Sequence, residues 1–183
     1  MKQRLLELLC THSYIEGTVK LASGKMSDFY VDCRKTALLP EGHHLIGAIC
    51  HDLITTHFPQ AEAVGGVVLG ACPLASATSM ASFSTKNPLP AFYLRKEAKG
   101  HGMGRLLEGP VKPGARVVIL EDVVTTGGST ISALESAKVE ELEVLGVISL
   151  VDRQENNGAA LIAREVPYFS IFTKSDILAH GKE

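Results

Sequence analysis

Hydrophobic residues along the chain fall into two kinds of run. In 63–69, 91–94, 116–120 and 144–151, Val, Ile, Leu and Ala follow one another with little polar interruption. Runs of that length without clean alternation suit strands covered on both faces, as in a parallel sheet. Elsewhere the apolar positions return at helical spacing. Leu5, Leu6, Leu8 and Leu9 mark an amphipathic helix over 2–12, and Leu45, Ile46, Ile49, Leu53 and Ile54 mark another that starts after Pro40 and is closed by Pro59. Further helices are predicted over 73–84, 128–141 and 155–165, and a last one begins at Thr173-Lys-Ser-Asp176, a variant of the capping box. Residues 17–33 read as two short extended segments around Ser23-Gly24-Lys25, a hairpin. Strands alternating with helices imply a doubly wound α/β fold with right-handed crossovers. Such sheets bind ligands beyond the carboxyl ends of their strands, which directs attention to 70–73, 95–110, 121–130 and 152–158.

Composition narrows the picture. The chain has 183 residues, 45% hydrophobic and 21% charged, with 17 Gly and 8 Pro, which fits one globular domain and excludes a disordered, collagen-like or coiled-coil chain. Lys+Arg 18 against Asp+Glu 20 gives a net charge of -2, which argues against a dedicated nucleic-acid or membrane-surface binder. The uncharged stretch 63–85 is long enough to span a bilayer, but Gly65, Gly66, Gly70, Pro73 and several Ser and Thr make a strand, a glycine turn and a small-residue helix the better reading. The opening MKQRLLELLC is interrupted by Glu7 and too short for a signal segment. Cys10, Cys33, Cys50 and Cys72 form no C-x-x-C pair and are expected as reduced, mostly buried thiols of a cytoplasmic protein. His43, His44, His51 and His57 lack paired-ligand spacing and are expected to pack rather than bind metal.

The stretch Val117-Val-Ile-Leu-Glu121-Asp122-Val-Val-Thr125-Thr126-Gly127-Gly128-Ser129-Thr130 carries the most chemistry. An apolar strand ends in two carboxylates and runs through hydroxyls and glycines into a helix. Successive backbone N–H groups, hydroxyl donors and a positive helix end make a phosphate cradle there, and glycine lets the backbone approach the oxygens. Two carboxylates beside an anion need another ligand, such as sugar hydroxyls or hydrated Mg²⁺. No Lys follows the glycines, so this is not a Walker A loop. The bare reading is a sugar phosphate with diol recognition.

A second loop, Arg95-Lys96-Glu97-Ala98-Lys99-Gly100-His101-Gly102-Met103-Gly104-Arg105, holds four of the 18 basic residues, a histidine and three glycines. Convergent cations suit a departing polyanion, and glycines suit a closing lid.

The acid pair and Thr-Gly turn resemble those of the type I phosphoribosyltransferases, and Arg-Lys-Glu-x-Lys-x-His-Gly looks like the catalytic loop of orotate phosphoribosyltransferases in particular. The resemblance runs from about residue 2 to residue 180. It implies a parallel-sheet core over about 36–183 topped by an N-terminal hood over about 1–35. The implied activity transfers the 5-phosphoribosyl group of 5-phosphoribosyl 1-diphosphate (PRPP) to orotate, giving orotidine 5-monophosphate and pyrophosphate in pyrimidine synthesis, with Mg²⁺ held mainly by PRPP and water. By resemblance, Glu121 and Asp122 hold the ribose hydroxyls, and Val123, Val124, Thr125, Thr126, Gly127, Gly128 and Ser129 contact PRPP around its 5-phosphate. Gly70 and Ala71, in the turn Val67-Val-Leu-Gly70-Ala71-Cys72-Pro73, hold one end of the diphosphate; the charged residue many relatives carry near Cys72 is absent. Lys99 is the leading catalytic residue, His101 assists, and Arg95 and Lys96 contact PRPP phosphates. The hairpin matches a hood that covers the pyrimidine, which makes Lys25 a base-binding candidate, although Ala22 stands where many relatives have lysine. Arg153 at the end of Leu150-Val-Asp152-Arg153 resembles a residue that contacts orotate, and with Thr125 it is assigned to the base; the following Gln-Glu-Asn-Asn-Gly departs from an expected Gly-Gly. The same resemblance implies a homodimer sharing the 95–105 loop between subunits. The competing readings are a phosphoribosyltransferase for another nucleobase and a PRPP-sensing regulator without catalysis.

Overall fold

A computed structural model describes residues 1–20, 26–95 and 106–180. The chain opens with helix α1 (Lys2–Leu8), which continues as a π-helical turn through Leu9–Ser13. Strands β1 (Tyr14–Lys20) and β2 (Met26–Val31) pair antiparallel, as the hairpin pattern predicts, with the turn at 21–25 outside the described residues. Short helix α2 (Arg34–Ala37) leads into α3 (Pro40–His57), whose proline occupies the first turn, where no N–H is needed. Strand β3 (Ala63–Val67), helix α4 (Ala71–Ser82) and strands β4 (Ala91–Leu94) and β5 (Leu107–Glu108) follow. The chain then runs through β6 (Arg116–Val124), α5 (Gly128–Val139), β7 (Glu143–Asp152), α6 (Gly158–Ala163), β8 (Tyr168–Thr173) and α7 (Lys174–His180).

The six later strands form one sheet in the order β5-β4-β3-β6-β7-β8, parallel throughout except for β5 against β4. Both faces are covered, as the uninterrupted apolar runs require. Val118 and Leu120 of β6 join the cluster containing Ile46 of α3 and Leu74 of α4. Val117 and Ile119, one residue out of step, join Ala133 and Ala137 of α5 and Ile162 of α6 on the opposite face.

The structure differs from the sequence pattern at several elements. β6 continues past residue 120 because its ladder with β7 holds through Glu121 beside Ser149 and Val124 beside Asp152. The polar pair therefore belongs to the strand rather than to the loop. β8 is an additional strand: Tyr168, Phe169, Ile171 and Phe172 favour a pleated, half-buried surface, and Val147 to Asp152 of β7 supply their partners. The helix predicted over 155–165 is shorter, because Gln154, Asn156 and Asn157 take positive φ before Gly158. At the start of α7 the predicted cap is formed: the Asp176 carboxylate accepts from the Thr173 N–H at 2.7 Å, and the Thr173 hydroxyl accepts from the Asp176 N–H at 3.1 Å.

The stretch 63–85 divides into β3, a turn and α4, and among the described residues no helix is long and apolar enough to cross a membrane. All four cysteines are free, with Cys33 and Cys50 buried. His43 meets the Ala37 carbonyl at 3.1 Å and His57 stacks on Phe169 with ring centres 4.1 Å apart, both packing roles.

Candidate active site

Adjacent strand residues leave a sheet in opposite directions, so the two acids at the end of β6 meet different supporting elements although both line one cavity. Glu121 turns toward α5, where its carboxylate accepts the Thr130 hydroxyl at 3.1 Å. It is 8% exposed. Burial, reinforced by the neighbouring Asp122 charge, pushes its pKa up to about 8. Asp122 turns toward the start of α4. A Cβ at position 70 would overlap its carboxyl group, so glycine there is what admits the acid. The Asp122 carboxylate also accepts the N–H of Val123 at 2.9 Å.

Beyond β6 the chain bends into α5 through Gly127 at φ 78°, a left-handed conformation that suits glycine. Val124 is buried in the apolar cluster under α5, which leaves only its backbone for a ligand. Thr125 and Thr126 form the turn, with the Thr126 hydroxyl accepting the Gly128 N–H at 3.5 Å. The first N–H groups of α5 have no partner within the helix and point where an anion can sit. Gly158, at the head of α6, packs against the back of the turn: a Cβ there would lie 2.9 Å from the Gly127 nitrogen and would overlap the Thr125 carbonyl.

These elements enclose a cavity of about 420 Å³ whose lining includes Glu121, Asp122, Val123, Ser129 and Gly70. Ala71 is fully buried as the first residue of α4 and supports this rim from below. The Val68–Leu69 peptide bond that precedes Gly70 is cis. Ser129 also borders a second cavity of about 280 Å³, shared with Gly128, Ser132, Ser136 and Arg95. Arg95 is held there by Glu108 at 2.9 Å.

Arg153 is placed differently. Its side chain is buried, and Nη2 donates to the Phe29 carbonyl at 2.9 Å and to Glu155 at 3.1 Å. The guanidinium lies 5.7 Å from the Phe29 ring centre, and the Lys174 ammonium lies 5.3 Å from it. The residue therefore ties β2 of the hairpin to the end of β7. Lys25, Lys96, Lys99 and His101 lie outside the described residues.

Sequence reasoning missed three contributors. Tyr30, Asp32 and Arg34 reach the larger cavity from the end of β2 and the start of α2. A charged pair two residues apart, straight after an aromatic strand, was the available signal, and it looks the same as any exposed hairpin end.

Among the described residues no group of three His, Cys, Asp or Glu is arranged to hold a metal ion. Two carboxyls at one wall of a polar cavity fit a hard cation that takes most of its oxygens from water and substrate, as Mg²⁺ does.

Comparison with known proteins gives a consistent outcome. The chain is 47% identical over 179 residues to the orotate phosphoribosyltransferase of Sorangium cellulosum, covering 97% of this chain and 93% of that one. It is 43% identical over 163 residues to the orotate phosphoribosyltransferase of Aquifex aeolicus, covering 89% and 88% respectively. Two crystal structures of the Mycobacterium tuberculosis orotate phosphoribosyltransferase superpose closely. The complex with Fe(III) dicitrate gives a TM-score of 0.82 at 37% identity, covering 96% of this chain and 98% of that one. The complex with PRPP gives 0.79 at 32%, with the same coverage. No family model matches the chain.

Proposed function

Because the chain belongs to the orotate phosphoribosyltransferase family, a family of pentosyltransferase enzymes, we propose that it transfers the 5-phosphoribosyl group of PRPP to orotate, yielding orotidine 5-monophosphate and pyrophosphate for pyrimidine synthesis. The observation that carries the reading is the acid pair at the end of β6, set in one cavity with Gly70 and followed directly by the Gly127 turn.

Each part of that geometry has a task in the reaction. Asp122 and Glu121 take the 2- and 3-hydroxyls of the ribose. Past Val123, whose N–H is held by Asp122, the chain from Val124 through Thr125, Thr126, Gly127 and Gly128 to Ser129 wraps the 5-phosphate with its free backbone N–H groups. Gly70 and Ala71 face the diphosphate. Mg²⁺, carried mainly by PRPP and water beside the acid pair, would supply charge neutralisation for the diphosphate. Orotate attacks through its ring nitrogen: a C–N bond forms at the anomeric carbon as the C–O bond breaks, the electron pair leaves with pyrophosphate, and the ring N–H gives its proton to the departing pyrophosphate or to water. No covalent enzyme intermediate is required, so rate enhancement comes from alignment of the two substrates and from cations placed where charge develops. Lys99 is the foremost of these, assisted by His101, with Arg95 and Lys96 on the PRPP phosphates. Closure of the 95–105 loop excludes water from the reacting bond. Thr125, Arg153 and Lys25 are assigned to the base. A guanidinium suits the carboxylate that orotate has and that uracil and the purines lack.

We place the active unit as a homodimer in which each subunit lends its 95–105 loop to the other. The setting is the cytoplasm, where the four free thiols stay reduced.

The deciding experiment incubates the protein with PRPP, Mg²⁺ and single bases. Orotate absorbance should fall only when PRPP and Mg²⁺ are both present. Consumption of guanine or uracil with orotate untouched would overturn the substrate assignment.

A further inference from the structure

The cavity around the acid pair is unbalanced in charge. Asp122, Glu121 and Asp32 line it, and the turn from Leu69 to Cys72, assigned above to the diphosphate, carries no charged side chain. Beside Mg²⁺ and the 95–105 loop, a diphosphate at this turn gains from a fixed cation in the cavity wall itself, because the strong contacts to phosphate oxygens are charge-assisted. Among the described residues, one basic side chain lines this cavity: Arg34.

Arg34 is already oriented. Its Nε and Nη2 donate to the two oxygens of Asp32 at 2.8 and 3.0 Å, a two-pronged pairing that fixes the plane of the guanidinium. Asp32 is itself steadied by the Arg34 backbone N–H at 3.2 Å. The pair sits between the end of β2 and the first residue of α2, on backbone tied down by the Asp32 N–H to the Ser13 carbonyl at 3.0 Å. No described residue engages Nη1 in a hydrogen bond, and the Arg34 side chain is 54% exposed while Asp32 is 17% exposed. The carboxylate thus serves as a mount and leaves one edge of the guanidinium for an outside acceptor.

We propose that Arg34 is a diphosphate-binding residue, supplying from the hood side of the cavity the positive charge that the Gly70 turn lacks. The proposal rests on the phosphoribosyltransferase reading and adds a residue to its leaving-group side. It also predicts that the hood takes part in holding PRPP and does not merely cover the base.

The test combines calorimetric titration of magnesium pyrophosphate with initial rates, using the full-length protein and the variants Arg34→Gln and Arg34→Lys. Arg34→Gln should weaken pyrophosphate binding and raise KM for PRPP by about tenfold or more, the scale of a lost charge-assisted contact. Arg34→Lys should recover part of that loss, because it keeps the charge without the planar fork. KM for orotate, binding of ribose 5-phosphate and the unfolding temperature should stay near the parent values. Equal pyrophosphate affinity in the parent and Arg34→Gln would overturn the proposal. So would an equal loss for ribose 5-phosphate, or a parent protein that binds no pyrophosphate. Should Arg34→Gln fail to fold, Arg34→Lys decides: parent-like pyrophosphate affinity counts against the assignment, and a several-fold loss supports it. If the parent ignores orotate while the Arg34 effect on pyrophosphate persists, the base assignment falls and this one stands.

Discussion

Glu121 sits where ionisation is costly, since burial raises its carboxyl to about 8 against an ordinary value near 4.5. A carboxyl whose folded pKa exceeds its unfolded pKa holds its proton more tightly in the native state. Its contribution is therefore fully present below about 4.5 and is lost as pH rises through about 8. Glu121→Gln, which keeps the acceptor for the Thr130 hydroxyl, should match the parent in stability near pH 4.5 and exceed it by on the order of 2 kcal/mol at pH 9, part of the roughly 1.4 kcal/mol that each unit of displacement allows. Denaturant titrations at the two pH values measure this, and a pH-independent difference would contradict it. The role proposed for Lys99 is chemical instead. Lys99→Ala should lower turnover at least ~100-fold, the scale of one lost partner for developing charge, with the unfolding temperature unchanged. Near-parental turnover would remove Lys99 from the mechanism. Of the residues named from the chain alone, Glu121 and Asp122 stood out because two acids after an apolar run are chemically conspicuous. Arg34 did not, since its meaning depends on a cavity wall contributed by β6, about ninety residues later.

At the scale of elements, the turn between β6 and α5 is shaped from behind as much as from within. Its glycines were legible in the sequence, but the support from α6 was not. Gly158 lies 29 residues past Ser129 and reads locally as an ordinary helix start. Gly158→Ala would press a methyl group into the Thr125 carbonyl and the Gly127 nitrogen. It should cost about 1–3 kcal/mol, as overpacking does, and raise KM for PRPP more than KM for orotate. Unchanged PRPP kinetics would show that the turn does not depend on this backing. The cap of α7 was readable because Thr173 and Asp176 satisfy each other within one turn. The left-handed residues of the 153–157 loop were not, because Gln154 is held there by a distant partner: its side-chain oxygen accepts the Ser175 hydroxyl at 2.6 Å and the Ser175 N–H at 3.1 Å.

For the whole molecule, the N-terminal segment is joined to the rest through a shared apolar cluster in which Leu5, Leu9 and Phe29 pack with Ile46, Phe172 and Ile177. Phe29 is fully buried, with Arg153 and Lys174 over its ring, and Glu155 accepts from both cations. The proposed exchange of the 95–105 loop between subunits makes a clear prediction for mixed dimers. Lys99→Ala and Asp122→Ala homodimers should each be nearly inactive. Unfolding and reassembling them as an equal mixture should restore about a quarter of the parental rate, because half of the dimers then hold one intact site of two. No recovery would mean that each loop serves its own subunit. What the chain's order of residues determined by itself is the alternation of buried strands with helices, the capped last helix and the place of the acid-and-glycine turn between a strand and a helix. All of these are governed by neighbours within a turn or a strand, where side-chain period and backbone preference act. Tertiary structure alone decided that Glu121 is buried against α5 while Asp122 fits against Gly70, that α6 backs the Thr125–Gly128 turn, and that Arg34 reaches the same cavity. Each of these depends on which surfaces far apart in the chain are brought into contact when both faces of the sheet are covered.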